Sequence, residues 1–563
     1  MVLALDMIPP SLTLPGRAIA QRGAPGLREC SPIARADTSG VRPIFSPSLR
    51  LAELVATLAI AQDNAFGQPL ESQLRSCLLA SWLCEEAEFD DDVRTDAYWV
   101  SLLRYIGCTG HAHEVATLFG DEIAIRAQTL VHDAGNPAEV MRDVFEYATA
   151  WRPEDEREAV VKMLQETAHE WAVNNFASGC EVADMLVVRL DFGPSIREAL
   201  ACTFERWNGK GFPRHVSGDA IPLPMRIVHL SHDMEAIGRL FSPERAVAAA
   251  RDRRDETYDP VLADLFLEHG AAWFERLHET EPWDAVLALE PEPRRTLEGE
   301  ALDHALEVAA DFIDLKSSYW GGHSRRCAQL AADAARVLGF SEEDTTALRR
   351  AALVHDFGTS AVPNSIWDKP GPLTRTEFDR VELHPMLTEQ MLRRSPAFAT
   401  LTPAASAHHE KCNGSGYHRR LRSDASDRGA CVLAATEIYV GMTTERADRP
   451  RFSEDEAAAE LRRLESDGVL EPSATRAVLV AAGHGEPEAR VRKRRQNRGG
   501  LSGREVDVLQ LAARGLTTRQ IADRLVISPK TADHHIQHIY TKIGVSTRAA
   551  AALWAMQNDY VVG

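Results

Sequence analysis

The chain holds only nine cysteines in 563 residues and no CxxC pair. That excludes a disulfide framework and fits a reducing cytoplasm. It has no apolar run of about 18 residues, so a membrane-spanning helix is not expected. Met1 to Ile8 carries Asp6 but no Lys or Arg, unlike a secretory signal. Alternating β-branched runs are few, whereas helix formers such as Ala, Leu, Glu and Arg dominate, and the expected class is all-α. At 44% hydrophobic and 26% charged residues, the composition is that of a folded protein, and the length predicts three or four units.

Positive charge is also in short supply, but only up to a point. The net charge is −20, yet Arg490 to Gly563 contains 13 Lys or Arg against 5 Asp or Glu, a balance of +8 that leaves −28 for the rest. A basic tail on an acidic body is the footprint of a nucleic-acid-binding module attached to something else.

The organisation follows from composition shifts. Residues 1–45 are rich in Pro, Gly, Arg and Ser without a helical period and read as mostly disordered. Two helical modules, 46–285 and 298–482, flank a break at Glu290 to Arg295. Residues 483–500 form a linker with six cations between Arg490 and Arg498, and 501–563 form the last unit. The linker is either a solvated hinge or a phosphate contact. The two helical modules look like copies of one another. Glu205 to Phe212 matches Glu410 to Tyr417 position for position, and Ser72 to Arg104 and His323 to His355 each span 32 residues with Arg75 and Arg326 in register.

The second copy carries the chemistry. His323 opens a helix that Gly339 terminates, and His355 and Asp356 end the next. His384 is expected in a third helix that starts at the Thr374–Glu377 capping box, His408 and His409 at the end of a fourth, and Glu437 inside a fifth. Imidazoles and carboxylates on several helices can converge on a binuclear metal site, which can bridge a hydroxide and polarise a phosphoryl group without a nucleophilic side chain. Adjacent residues on one helix point about 100° apart, so His408 and His409 are not expected to share one ion in the simplest geometry.

These residues resemble the HD-GYP subgroup of HD-domain metal phosphohydrolases. The match runs through His323, His355-Asp356, Ile366 to Thr374, His384-Pro385, His408-His409-Glu410, Gly414 to Tyr417 and Arg449-Pro450. The resemblance implies an all-α fold and two divalent transition metals, iron or manganese, on His323, His355, Asp356, His384, His408, His409 and Glu437. It also implies phosphate contacts from Lys369 and Arg449 and, in many members, hydrolysis of cyclic di-GMP. The departures thin the substrate grip. Thr359 replaces a phosphate-facing Lys, Asn413 and His418 replace an Asp and a Pro of the loop, Tyr319 replaces a third-metal Glu, and Cys431 an Arg. In the first copy the metal positions hold Ser72, Arg104, Tyr105, Thr203 and Phe204, which cannot form such a site. His132-Asp133 is out of register, and His232-Asp233 is an HD dipeptide without partners.

In the last unit, Ser502 and Glu505 form a capping box, Thr517 or Thr518 starts a short second helix, and Ser528-Pro529 caps a third. That is the helix-turn-helix plan. Residues 501–560 resemble the LuxR-type DNA-binding domain, which has four helices and dimerises on DNA. The residues expected at double-stranded DNA are Thr517, Thr518, Ser528, Lys530, Thr531, Asp533, His534, His535 and Lys542. The sequence therefore predicts a cytoplasmic, homodimeric transcription regulator whose metal site senses a phosphate-bearing ligand such as a cyclic dinucleotide. The alternative is an active metal-dependent nucleotide phosphodiesterase coupled to a DNA-binding domain.

Overall fold

The computed structural model describes residues 48–130, 132, 137–422, 427–485, 498–558 and 560–561. The N-terminal segment expected to be disordered, Asp133 and most of the basic linker lie outside the described residues.

The described chain is built from helices, as expected. The sheet consists of two antiparallel strands of two residues each, Leu49–Arg50 and Thr296–Leu297. This short ladder pins the start of the first module to the segment entering the second. Local signals set the helix ends. Ser453–Glu456, Ser502–Glu505 and Thr517–Gln520 form reciprocal capping boxes, each satisfying orphan N–H groups at a helix start. Gly339 has φ 73° just beyond the His323–Val337 helix, the left-handed turn that releases the chain. No helix among the described residues is long and apolar enough to cross a membrane.

The internal repeat is visible in backbone contacts. A Cβ on Gly358 would sit 1.9 Å from the His384 carbonyl oxygen, and a Cβ on Gly107 would sit 1.9 Å from that of Gly179. Both copies therefore cross two chain segments at a point where only glycine fits. The first copy takes 72 residues from Gly107 to Gly179 where the second takes 26 from Gly358 to His384. The excess forms the helices Ala112–Phe119, Glu122–Thr129 and Pro137–Ala150 and the start of the long helix Glu154–Arg189.

That excess reaches over to the second copy. Lys316 Nζ meets Glu122 Oε1 at 2.6 Å with both side chains buried, and the same carboxylate accepts the Asn364 N–H. His113 Nδ1 lies 2.7 Å from Asp368 Oδ2. A fully buried lysine is tolerable only because its carboxylate partner is equally buried and hydrogen-bonded.

The C-terminal unit has its own core of Leu501, Val508, Leu509, Ile521, Ile536 and Ile539. Its last helix, Arg548–Gln557, serves two cores. Ala551 and Ala555 face the unit, whereas Ala549, Leu553 and Met556 are buried against the body. Glu181 of the long helix accepts the Ser546 N–H at 2.7 Å, and Arg514 pairs with Glu445 at 3.2 Å.

Candidate functional site

The seven residues singled out in the second copy converge. The potential ligand atoms of His323, Cys327, His355 and Glu437 all lie within 4.8 Å of one another, and so do those of His384, His408 and His409. Asp356 stands between the groups. Its Oδ2 is 3.4 Å from His355 Nε2 and 3.8 Å from His323 Nε2, while its Oδ1 is 3.4 Å from His408 Nε2 and 3.5 Å from His384 Nε2. Glu437 Oε2 closes the first group at 2.8 Å from His323 Nε2 and 3.3 Å from His355 Nε2.

Backbone carbonyls orient three of the imidazoles. Nδ1 of His355 donates to the Ala352 carbonyl at 2.8 Å, that of His384 to Val381 at 2.7 Å, and that of His408 to Ala405 at 2.6 Å. A carbonyl only accepts, so Nδ1 carries a proton in each ring and each Nε2 faces into the site. His384 and His408 then face one another Nε2 to Nε2 at 3.0 Å. His355 Nε2 is buried without a hydrogen-bond partner. The buried Nε2–Nε2 contact and a His355 Nε2 without a hydrogen-bond partner are unfavourable in a closed core, and a cation bound among the donors would remove the cost. The donor set fits a metal centre on this ground.

The charge states differ between the groups: burial lowers His355, but Asp356 and Glu437 outweigh it and raise the ring to about 9. Burial pulls His384 down to about 4 and His409 well below its usual range, so both are neutral imidazoles at pH 7. Burial raises Asp356, but the surrounding imidazoles, His355 foremost, overcome it and hold the carboxyl far below its usual range. Glu437 is likewise pushed up by burial and held down more strongly by His323 and His355.

The structure corrects several local expectations. The Thr374–Glu377 capping box starts the helix Arg375–Val381, and His384 opens a separate helix, His384–Leu392, with Pro385 in its first turn. His408 and His409 lie in a turn beyond the short helix Thr402–Ala405. The 100° rule for helical neighbours does not govern a turn, and the two rings stand 4.3 Å apart in one group. Sequence reasoning missed Cys327, whose Sγ is 3.4 Å from Glu437 Oε2. The signal was there, since Cys327 is one helical turn after His323 on the same face.

The loop that follows is set by a glutamate in each copy. Glu410 accepts the N–H groups of Arg419 and Leu421, and Glu205 accepts that of Arg214. In the second copy this places the Tyr417 ring on His409, centroids 4.8 Å apart. The expected phosphate contacts are engaged locally. Lys369 Nζ pairs with Glu377 at 2.6 Å, and Arg449 donates to the Gly441 and Met442 carbonyls. Thr359 is buried, its hydroxyl donating to the Asp356 carbonyl at 2.6 Å, so it presents no group to a ligand.

In the first copy the equivalent space is filled. Arg104 approaches Asp233 at 3.8 Å, Tyr258 donates to Asp233 at 3.0 Å, and Tyr105 stacks on Phe66 with centroids 4.1 Å apart. Asp233 is therefore well partnered, contrary to expectation, and His232 sits edge-on to Tyr105. His132 pairs with Asp143 at 3.5 Å. A guanidinium and an aromatic plug stand where the second copy gathers ligands.

In the last unit, Ser528 caps the helix Pro529–Ile543, accepting the Thr531 N–H at 3.0 Å, and the two hydroxyls meet at 2.8 Å. Lys530, Thr531, Asp533 and His534 are exposed along one side, with His535 half-buried. Thr517 caps the preceding helix and Thr518 is half-buried beside it. Lys542 is held elsewhere. Its ammonium meets both oxygens of Glu505, at 2.8 and 2.6 Å, and that contact draws the Glu505 carboxyl down to about 2.

Comparison with known proteins assigns both regions. Residues 307–472 match the HD domain family, and residues 500–555 match the bacterial regulatory proteins of the luxR family. Over 412 residues the chain is 28% identical to 3′3′-cGAMP-specific phosphodiesterase 3 of Vibrio cholerae, covering 73% of this chain and 90% of that protein. It is 32% identical over 158 residues to the cyclic di-GMP phosphodiesterase response regulator RpfG of Xanthomonas campestris pv. campestris, covering 28% of this chain and 42% of that protein. A crystal structure of a V. cholerae cyclic GMP-AMP-specific phosphodiesterase superposes with a TM-score of 0.54 at 26% identity, covering 77% of this chain and 98% of that one.

Proposed function

We infer, from an HD domain related to the HD-GYP cGAMP phosphodiesterases joined to a C-terminal LuxR-type DNA-binding domain, that the protein is a cytoplasmic transcription regulator whose metal centre binds a cyclic dinucleotide. The observation that carries this reading is Asp356, whose two oxygens face two separate imidazole groups. His323, His355 and Glu437 would hold one divalent transition metal and His384, His408 and His409 a second, with the Asp356 carboxylate facing both groups. Mixed imidazole and carboxylate donors suit iron or manganese. When bound, such a pair supplies Lewis-acid polarisation of a phosphodiester.

The chain's own residues do the rest. The Nδ1 anchors of His355, His384 and His408 keep the donor atoms aimed inward. The Tyr417 ring covers His409 on the loop side. Thr359 offers no cation to a transferring phosphoryl group, which favours binding over turnover. Exposed Lys530 and Thr531 read DNA in the major groove, and two copies of the chain bind a two-fold operator. A second reading, a phosphodiesterase coupled to a DNA reader, is favoured by the seven potential ligands that remain together. Metal analysis of the purified protein, followed by equilibrium binding and turnover of 3′3′-cGAMP and cyclic di-GMP, tests both. A metal-free protein that binds neither nucleotide refutes the two readings together.

A further inference from the structure

Arg326 occupies an unusual electrostatic position. In the first copy its counterpart Arg75 is neutralised by Glu235 at 3.0 Å. Position 235 is separated from 440 by the same 205 residues that separate Glu205 from Glu410, and residue 440 is valine. The second copy therefore keeps the arginine and has lost its carboxylate. Arg326 Nη2 reaches only the Thr444 hydroxyl, at 3.2 Å, and its Nε is buried without an acceptor. Burial holds Arg326 below its usual range; Cys327 and Asp314 oppose it, and the guanidinium groups of Arg446 and Arg514 add to it.

Arg446 is the second cation. A Cβ on Gly441 would lie 3.3 Å from Arg446 Nη2 and 3.9 Å from Glu437 Oε1. The guanidinium and the metal-site carboxylate thus flank one glycine, with no side chain between them. Among the described residues, no carboxylate lies within ion-pair distance of either Arg326 or Arg446.

The third cation comes from the DNA reader. Arg514 pairs with Glu445, which lies between Thr444 and Arg446. Burial and the nearby Arg451 and Arg524 depress Arg514, and Glu445 opposes them. Glu445 thus stands between Arg446 and Arg514, close to Arg326, and a buried guanidinium without an ion-pair partner costs free energy that an added anion offsets.

We propose that Arg326 and Arg446 of the HD domain and Arg514 of the DNA reader form an anion subsite beside the metal centre, and that it takes a phosphate group of the bound ligand. The proposal rests on the cyclic-dinucleotide reading above. Such a ligand carries two phosphodiesters; the metals engage one, and the second reaches the arginines. There it competes with Glu445 for Arg514, so ligand binding alters how the reader is held.

The test measures equilibrium binding of a phosphorothioate analogue of 3′3′-cGAMP to the manganese-loaded full chain. Arg446→Gln and Arg514→Gln should each weaken binding about tenfold, the loss of one charge-assisted contact, with metal content unchanged. Glu445→Gln should tighten it by about threefold, because Arg514 loses its competitor. If Arg514 served only to hold the reader in place, Arg514→Gln and Glu445→Gln would break the same ion pair and shift affinity in the same direction, which overturns the subsite. Unchanged affinity in Arg514→Gln overturns it too. Failure of the metal-loaded wild type to bind the analogue at all refutes the cyclic-dinucleotide reading itself, a result distinct from either.

Discussion

Gly515 of the DNA reader lies against Ser318 so closely that a Cβ on the glycine would come within 2.9 Å of the serine Cβ. Ser318 belongs to the segment that leads into His323, and within it Trp320 packs edge-on against Trp367 at 4.5 Å, which in turn meets the His384 ring at 5.8 Å. One short segment therefore touches the reader, leads into one imidazole group and reaches the other through Trp367. Gly515 has φ +77°, so a β-branched residue there is both strained and obstructed. Gly515→Val should raise hydrogen exchange in 315–322 while leaving the Ser72–Glu86 helix protected. Unchanged exchange in that segment would show that the contact transmits nothing.

Wild-type protein should carry about two transition-metal ions per chain, and His355→Ala with Asp356→Ala should remove them. The double change deletes the carboxylate that faces both imidazole groups and one anchored imidazole, leaving neither group of donors complete. Elemental analysis of both proteins decides it. Stoichiometric metal in the double variant would move the site elsewhere.

Turnover of cyclic di-GMP should be weak or absent. Thr359, which stands in place of a phosphate-facing Lys, turns its hydroxyl to the Asp356 carbonyl, and the expected contact Lys369 is held by Glu377. Loss of one such contact typically costs about 3–4 kcal/mol of transition-state stabilisation, or on the order of 10²–10³ in rate. Rates matching well-preserved HD-GYP enzymes, with iron or manganese supplied anaerobically, would favour the enzyme over the sensor.

The His113–Asp368 contact between the two copies should make stability depend on pH. The hydrogen bond to Asp368 raises His113 from its ordinary 6.5 against the opposing effect of burial, and Glu114 and Glu122 add to the rise. A raised folded-state value means the contribution is full below about pH 6.5 and is lost as pH climbs through that value. The histidine side chain is 32% exposed, so the effect is about 1 kcal/mol or less. Urea titrations from pH 6 to 9 should show this loss in the wild type, and His113→Gln should flatten it.

Much of the site was legible because histidine is rare, 20 of 563 residues, and His323, His355, His384, His408 and His409 follow the order of the HD-GYP pattern, a resemblance that also placed Glu437. What could not be read was tertiary. Spacing places His408 and His409 near a helix, but only the chain's departure after Ala405 frees both rings to face His384. Asp233 read as a stray because its partners Arg104 and Tyr258 are distant in sequence and meet it only in the folded core. Lys542 lies at the far end of the reading helix, yet Glu505, on another helix, holds it. The contact of the reader with the body left no periodic signature, since Ala549, Leu553 and Met556 fit a helix of any small domain.

DNA recognition separates into two terms with different residues. Lys530 is exposed in the first turn of the reading helix, and the adjacent Thr531 is already fixed by Ser528, so both are presented in a set register. Substituting either by Ala should reduce discrimination between operator and random duplex by about 1–3 kcal/mol where a base contact is lost. For Thr531 the helix cap survives, because Ser528 accepts from the backbone N–H rather than from the side chain alone. Arg492, Lys493, Arg494 and Arg495 are four consecutive cations of the linker sequence. Neutralising all four should weaken operator and random DNA alike and flatten the salt dependence, because what is lost is counterion release. Titrations at several salt concentrations separate the two. Operator preference lost in the linker variant and kept in Lys530→Ala would place sequence reading outside the Pro529–Ile543 helix.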